Sequence, residues 1–201
     1  MPLPDPGCMI RSSVAYLSGG AVACLLLAGI PARADDALLQ QIMAGLAAQP
    51  SRETGFSSDK HLASLSAPVH SEGRLIFRKP DYLAQVTVMP RPERLVIDAD
   101  TVEITVPGEP ARRIGLDDSP ALRILADTLR GALAGNLAVL RQHFVVGQTG
   151  ALSQWRITLR PSGNVTAQVL QRAYIDGGGS VVRQIDIVQA NGDEQRITIL
   201  P

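Results

Sequence analysis

The stretch Gly73–Pro90, GRLIFRKPDYLAQVTVMP, most constrains what this chain can fold into: it reads as two consecutive strands hinged at Lys79-Pro80 and closed by a second proline. Leu75 and Phe77 alternate with Arg74 and Arg78, and Tyr82, Ala84, Val86 and Val88 alternate with Gln85 and Thr87. This two-residue period belongs to strands with one dry face. Proline has no N–H for a ladder, so Pro80 marks a join rather than a strand interior.

The segments around this pair extend the pattern. Glu93 to Asp98 and Thr101 to Val106 place Leu95 and Ile97, then Val102, Ile104 and Val106, on alternate positions, with a short turn at Asp98-Ala99-Asp100. Thr54 to Leu65 carries Phe56 and Leu62 among polar residues and reads as a strand ended by Pro68, and Arg112 to Leu116 as a short edge. After Phe144 come Trp155 to Leu159, Val165 to Tyr174, Ser180 to Val188 and Gln195 to Leu200, with Asp176-Gly-Gly-Gly179 and Asn191-Gly192 as hairpin turns.

Helices interrupt this β pattern twice. Asp35-Asp36 opens one that runs to about Gln49, with Leu38, Leu39, Ile42 and Leu46 on one face and Pro50 as its stop. Ser119 as N-cap and Pro120 at the first position announce another, whose Leu122, Leu125, Leu129 and Leu133 recur at helical steps; Gly135 ends it and Asn136 caps a short successor carrying Leu137 and Leu140. Strands on both sides of an internal helical pair predict a mainly β, α+β fold: a curved antiparallel sheet or unclosed β-barrel. The N-terminal helix and the internal helical lid are expected on its concave face.

The N-terminus predicts export. Arg11 precedes an uncharged apolar run from Val14 to Ile30, and Ala32-Arg33-Ala34 supplies the small residues that a signal peptidase reads. The expectation is a signal peptide over 1–34, one domain over 35–201 and a periplasmic location. An uncleaved anchor is the alternative, but the run is shorter than the ~20 residues of a spanning helix. Lipidation at Cys24 is a second, disfavoured by the apolar Leu25-Leu26-Leu27 behind it. Both cysteines, Cys8 and Cys24, leave with the signal, so the exported domain must hold by burial alone.

Composition excludes some partners. Nineteen basic residues balance nineteen acidic ones and only 3% of the chain is aromatic, which fits neither a phosphate-binding surface nor a base-stacking platform, so no nucleic acid is expected. His61, His70 and His143 stand far apart and are expected on the surface, with no metal and no cofactor. Asp98, Asp100 and Glu103 read as a solvated turn. No serine lies in Gly-x-Ser-x-Gly, and Gly177–Gly179 is not followed by a helix, which leaves neither a nucleophile elbow nor a phosphate cradle. The expectation is a protein that is not an enzyme.

A one-sided apolar sheet incompletely covered by amphipathic helices leaves a groove. An acyl chain of ~14 methylenes buried there, at ~0.8 kcal/mol each, gains on the order of 11 kcal/mol before association costs. Such a ligand needs no catalytic residue. The alternative is a filled core.

The order of these elements carries a resemblance. An N-terminal amphipathic helix, a Phe-containing strand, Gly73-x-Leu-x-Phe-x-Lys-Pro-Asp-x-Leu, an Ile-Asp-Ala-Asp stretch, an internal helical pair, Trp155-x-Ile-x-Leu-x-Pro and a terminal Asn-Gly-Asp hairpin together resemble the outer-membrane lipoprotein carrier (LolA) family, in its divergent branch. The resemblance implies an unclosed β-barrel, a helical lid and a hydrophobic cavity for acyl chains. In the carrier, an Arg directly before the proline of this motif bonds to the lid. Here that position is Lys79, which lacks the planar guanidinium fork, and Asp98-Ala-Asp-Thr-Val-Glu-Ile104 replaces an aromatic-containing stretch of the carrier.

The expected function is therefore a periplasmic, monomeric carrier or binding protein for an acyl-chain-bearing molecule, a lipid or lipoprotein. Leu75, Phe77, Val86, Val88, Ile97 and Ile104 are expected to line the groove from the sheet, and Leu125, Leu129 and Leu133 from the lid, with Lys79 as the lid latch. Its partners would be acyl chains and inner- or outer-membrane envelope proteins. The alternative is an envelope sensor or scaffold module that carries no lipid.

Overall fold

A computed structural model describes residues 32–49 and 51–201, with side chains from Asp36 onward; most of the expected export segment lies outside the described residues. The chain begins with helix α1 (Ala32–Ala48), followed by β1 (Arg52–His61), β2 (Val69–Arg78), β3 (Tyr82–Met89), β4 (Glu93–Asp98), β5 (Thr101–Thr105) and β6 (Arg112–Gly115). Helices α2 (Pro120–Ala134) and α3 (Leu137–His143) come next. The rest is β7 (Phe144–Ala151), β8 (Gln154–Pro161), α4 (Asn164–Ala167), β9 (Leu170–Gly178), β10 (Val181–Gln189) and β11 (Glu194–Ile199).

All eleven strands form one antiparallel sheet in the order β6-β5-β4-β3-β2-β1-β11-β10-β9-β8-β7. β6 and β7 remain as free edges, and the α2–α3 pair is the chain that links them. Ten spacings of about 4.8 Å would make a flat sheet of this size about 48 Å wide. Yet Val102 of β5 and Trp155 of β8 belong to one continuous core, so the sheet must curl around its contents. The expected unclosed, helix-covered sheet is the observed architecture.

Register decides which face is dry. Phe77 faces Leu83, Leu83 faces Ile97, and Ile97 faces Val102, a row of cross-strand partners that all lie on the core side. On the other half, Ile197, Ile185, Ile175 and Ile157 form the equivalent row. α1 supplies Leu39, Ile42, Met43 and Leu46 at three- and four-residue steps, each almost completely buried against this face.

The ends of the helical pair follow their local sequence. The Ser119 side chain accepts a hydrogen bond from the Leu122 N–H, and the Asn136 side chain accepts one from the Val139 N–H. Gly135 ends α2 in the left-handed region at φ 65°, where it also lies close under the α1 backbone. One strand start differs from expectation. Residues from Val165 were expected to be extended, but Asn164–Ala167 coils into a short helix and β9 starts at Leu170. A turn beginning at Gly163 gives those residues local carbonyl partners in place of a ladder.

Candidate functional site

The candidate site is the interface between the inner face of the sheet and α1 to α3. Leu75, Phe77, Ile97 and Leu133 are buried there, while Ile104, Leu125 and Leu129 are half-buried against the same core. Val86 and Val88 require a correction. Val86 pairs with Arg74 and Arg94, which puts it on the outer face, and Val88 is 53% exposed beside the register shift between Glu72 and Gly73.

The physical reason is the parity of β3. This strand carries apolar residues on both faces, so alternation alone does not say which set turns inward. The turn at residues 79–81 pairs Arg78 with Tyr82 and therefore Phe77 with Leu83. Leu83, 3% exposed, takes the inner position that alternation gave to Val86. The hairpin register was the missing information.

Around the rim, cations fasten the helices. The Lys79 ammonium donates to the Ala47 carbonyl, one of the last of α1, where unpaired carbonyls and the helix dipole both favour a positive charge. The contact that Lys79 makes is thus with the N-terminal helix rather than with the internal pair. That pair is held by two arginines seven residues apart on α2. Arg123 bridges Asp100 and Asp117 at 3.3 and 2.6 Å, and Arg130 donates to the Ala99 carbonyl at 2.6 Å. Arg141 of α3 reaches Asp36 of α1 at 3.0 Å.

Sequence reasoning missed Arg123 and Arg130, although their spacing on one helical face, opposite an acidic turn, was a usable signal. Burial pulls the Arg130 guanidinium below its ordinary pKa, against the raising effect of Asp81, Asp127, Asp100 and Asp98. Its Nε is buried with no hydrogen-bond partner.

One histidine departs from the expected surface position. His143, 19% exposed at its side chain, meets the similarly covered Asp127 at 2.9 Å and so braces the end of α3 against α2. His143 borders a cavity of about 330 Å³ whose lining includes Arg123, Ser162 and Thr166. The observed hydrogen bond of the ring is the one to Asp127, from α3 to α2. His70 is half-exposed, as a surface histidine should be, and sits between Asp59 at 2.8 Å and Glu72 at 3.1 Å. Those two hydrogen bonds raise its pKa above the ordinary 6.5.

Among the described residues, cavities of roughly 330 to 620 Å³ open at the surface, lined by residues other than the predicted groove set. One of about 360 Å³ lies between Lys79, Pro80, Ala47 and Leu137, where the strand turn, the end of α1 and the α2–α3 junction converge. Leu39, Ile42, Met43 and Leu46 of α1 pack in the same core as the inner-face residues.

Known structures of similar shape include a LolA superfamily protein from Nitrosomonas europaea, at 9% identity and TM-score 0.45 over 82% of this chain and 92% of that one. A DUF1329 family protein from Desulfovibrio piger follows at 9% identity and TM-score 0.43, over 82% and 90%. LprF from Mycobacterium bovis is 12% identical at TM-score 0.40, over 85% and 93%. No protein of curated function matches the sequence. A sequence model of the family described as outer membrane lipoprotein carrier protein LolA-like, in contrast, matches residues 28–200, from just before α1 to just past β11. Because that match takes in the whole described sheet and all of the helices that cover it, the chain belongs to the LolA-like family of outer membrane lipoprotein carrier proteins.

Proposed function

We propose that this protein carries or binds an acyl-chain-bearing molecule, a lipid, glycolipid or lipoprotein, in the cell envelope after export. The observation that carries the reading is how the inner face is covered. Its lid is a helical pair held at the rim by a few side-chain contacts, Arg130 to Ala99 and Arg123 to Asp100 and Asp117, rather than by a second sheet with a continuous ladder. Contacts of this kind separate at modest cost, on the order of 1 kcal/mol each when exposed.

Displacing α2 would uncover Leu75, Phe77 and Ile97 of the sheet, an aliphatic and aromatic wall suited to methylenes, and would free Leu133 on the helix itself. The observed arrangement is then the closed, unloaded state, in which Leu39, Ile42, Met43 and Leu46 of α1 occupy the inner face. Family membership supports the same reading. Binding, not bond-making, is the chemistry such a wall offers.

A second reading takes the filled inner face at its word: an envelope scaffold or sensor whose core is permanently occupied by its own side chains. Native mass spectrometry of protein recovered from the periplasm, together with uptake of a hydrophobic dye, separates the two. Co-purified lipid and saturable dye binding support the carrier; a lipid-free protein that takes up no dye supports the scaffold.

A further inference from the structure

A cavity of about 620 Å³ opens at the end of the sheet where β1 begins, β11 ends and β9 turns into β10. Its walls are aliphatic, with Val181 and Leu200 exposed to solvent and Val182 and Ile199 packed into the core behind them. Gly45 of α1 packs against Ser180, in the turn between β9 and β10 beside this cavity.

The lining holds two arginines, Arg52 and Arg183, against two side-chain carboxylates, Glu53 and Asp176. Its two side-chain carboxylates are already engaged from neighbouring strands: Arg74 donates to Glu53 at 2.7 Å, and Arg156 grips both oxygens of Asp176 at 2.7 and 2.8 Å. Arg52 and Arg183 line the cavity too, and among the described residues neither has an ion-pair partner. Pairing with Phe77 turns Arg52 to the inner face, where burial lowers its pKa. Partial desolvation of the unpaired Arg52 is unfavourable unless an anion joins it, whereas Arg183 is exposed to solvent.

Arg183 is aimed by the backbone. It is the extra residue of a β-bulge, unpaired between Val182 and Gln184, and bulges turn a side chain away from the regular alternation. Its guanidinium lies over Gly178, with Nη2 3.0 Å from where a Cβ would stand, so a side chain at that position would displace it. This gives the glycine run a purpose beyond turning the chain.

We propose that this cavity receives the anionic head of a single-chain acyl amphiphile, a carboxylate or phosphate monoester held by Arg52 and Arg183, with the first methylenes against Val181, Ile199 and Leu200. The planar forks of two guanidiniums suit both anions. The inference rests on the acyl-carrier reading and adds the chemistry of the head and the point of entry.

Isothermal titration of the full chain with oleate, oleoyl lysophosphatidic acid, oleyl alcohol and inorganic phosphate tests it. The two acyl anions should bind at least about tenfold more tightly than the alcohol, the scale of one charge-assisted contact. Arg52→Gln with Arg183→Gln should abolish that preference and leave alcohol affinity unchanged, and Lys at both positions should restore part of it. Leu200→Asp, at an exposed position, should weaken the anions more than the alcohol, which covers the case of a double variant that fails to fold. Equal affinity of wild type for oleate and oleyl alcohol overturns the anionic head while leaving the carrier reading standing. Inorganic phosphate binding as tightly as the lipid phosphate overturns the amphiphile; binding of no probe at all removes both readings.

Discussion

Arg130 of the lid helix donates a hydrogen bond to the carbonyl of Ala99, a non-glycine turn residue held at φ 44°, at 2.6 Å. The contact joins α2 to the tip of the β4–β5 hairpin, and a strained residue stands on the receiving side.

Removing the lid contact should loosen the lid. Arg130→Gln is expected to lower stability by about 1–2 kcal/mol and to increase hydrophobic dye uptake several-fold, read by urea denaturation and dye titration. Lys79→Leu should instead speed amide exchange in the last turn of α1, with a smaller effect on dye uptake. If both variants change dye uptake equally, the division of labour between the two fastenings fails.

Relieving the turn is a separate test. Ala99→Gly removes the left-handed penalty and adds unfolded-state entropy, for a net gain on the order of 0.5 kcal/mol. A loss of stability in urea unfolding would show that the turn conformation is not the one described.

The parity of β3 has a sharp signature. Leu83→Ala should cost about 2–4 kcal/mol as a core truncation, whereas Val88→Thr, at a half-exposed outer position, should stay within about 0.5 kcal/mol. Reversed sensitivities in chemical denaturation would restore the alternation first read from the sequence.

At Gly177 a Cβ would overlap both the Trp155 ring and the Val181 carbonyl. Gly177→Ala should therefore cost about 1–3 kcal/mol through overpacking and shift the emission of Trp155, whose indole N–H donates to the Gly179 carbonyl at 3.0 Å.

The His70 pKa, raised by Asp59 and then Glu72, should appear in an NMR titration as a midpoint above 6.5. Because the folded value is the higher one, the stabilising effect is complete below pH 6.5 and disappears as pH climbs through the folded midpoint. Exposure keeps it small. A midpoint at or below 6.5 would contradict the two hydrogen bonds.

Much of this fold is legible in the chain because its signals are local. Ser119-Pro120 and Asn136 each cap the helix they announce, and Leu95, Ile97, Val102 and Ile104 face inward as their alternation predicts. What alternation cannot carry is a choice between two apolar faces, and β3 offered that choice; only the pairing of Phe77 with Leu83 resolves it. The rim was harder still. Arg130 meets a carbonyl 31 residues away, Arg52 and Arg183 meet at one cavity from opposite ends of the chain, and no local pattern encodes such convergence.

The free edges β6 and β7 bring a mechanical consequence. The only covalent link between them that does not run through the sheet is the α2–α3 segment, anchored at Gly115 on one side and running directly into Phe144 on the other. The lid is therefore a strap fixed at both banks of the opening. It cannot swing away like a flap hinged on one side; lifting it must draw on both margins at once, so the width of the gap and the position of the strap form a single degree of freedom.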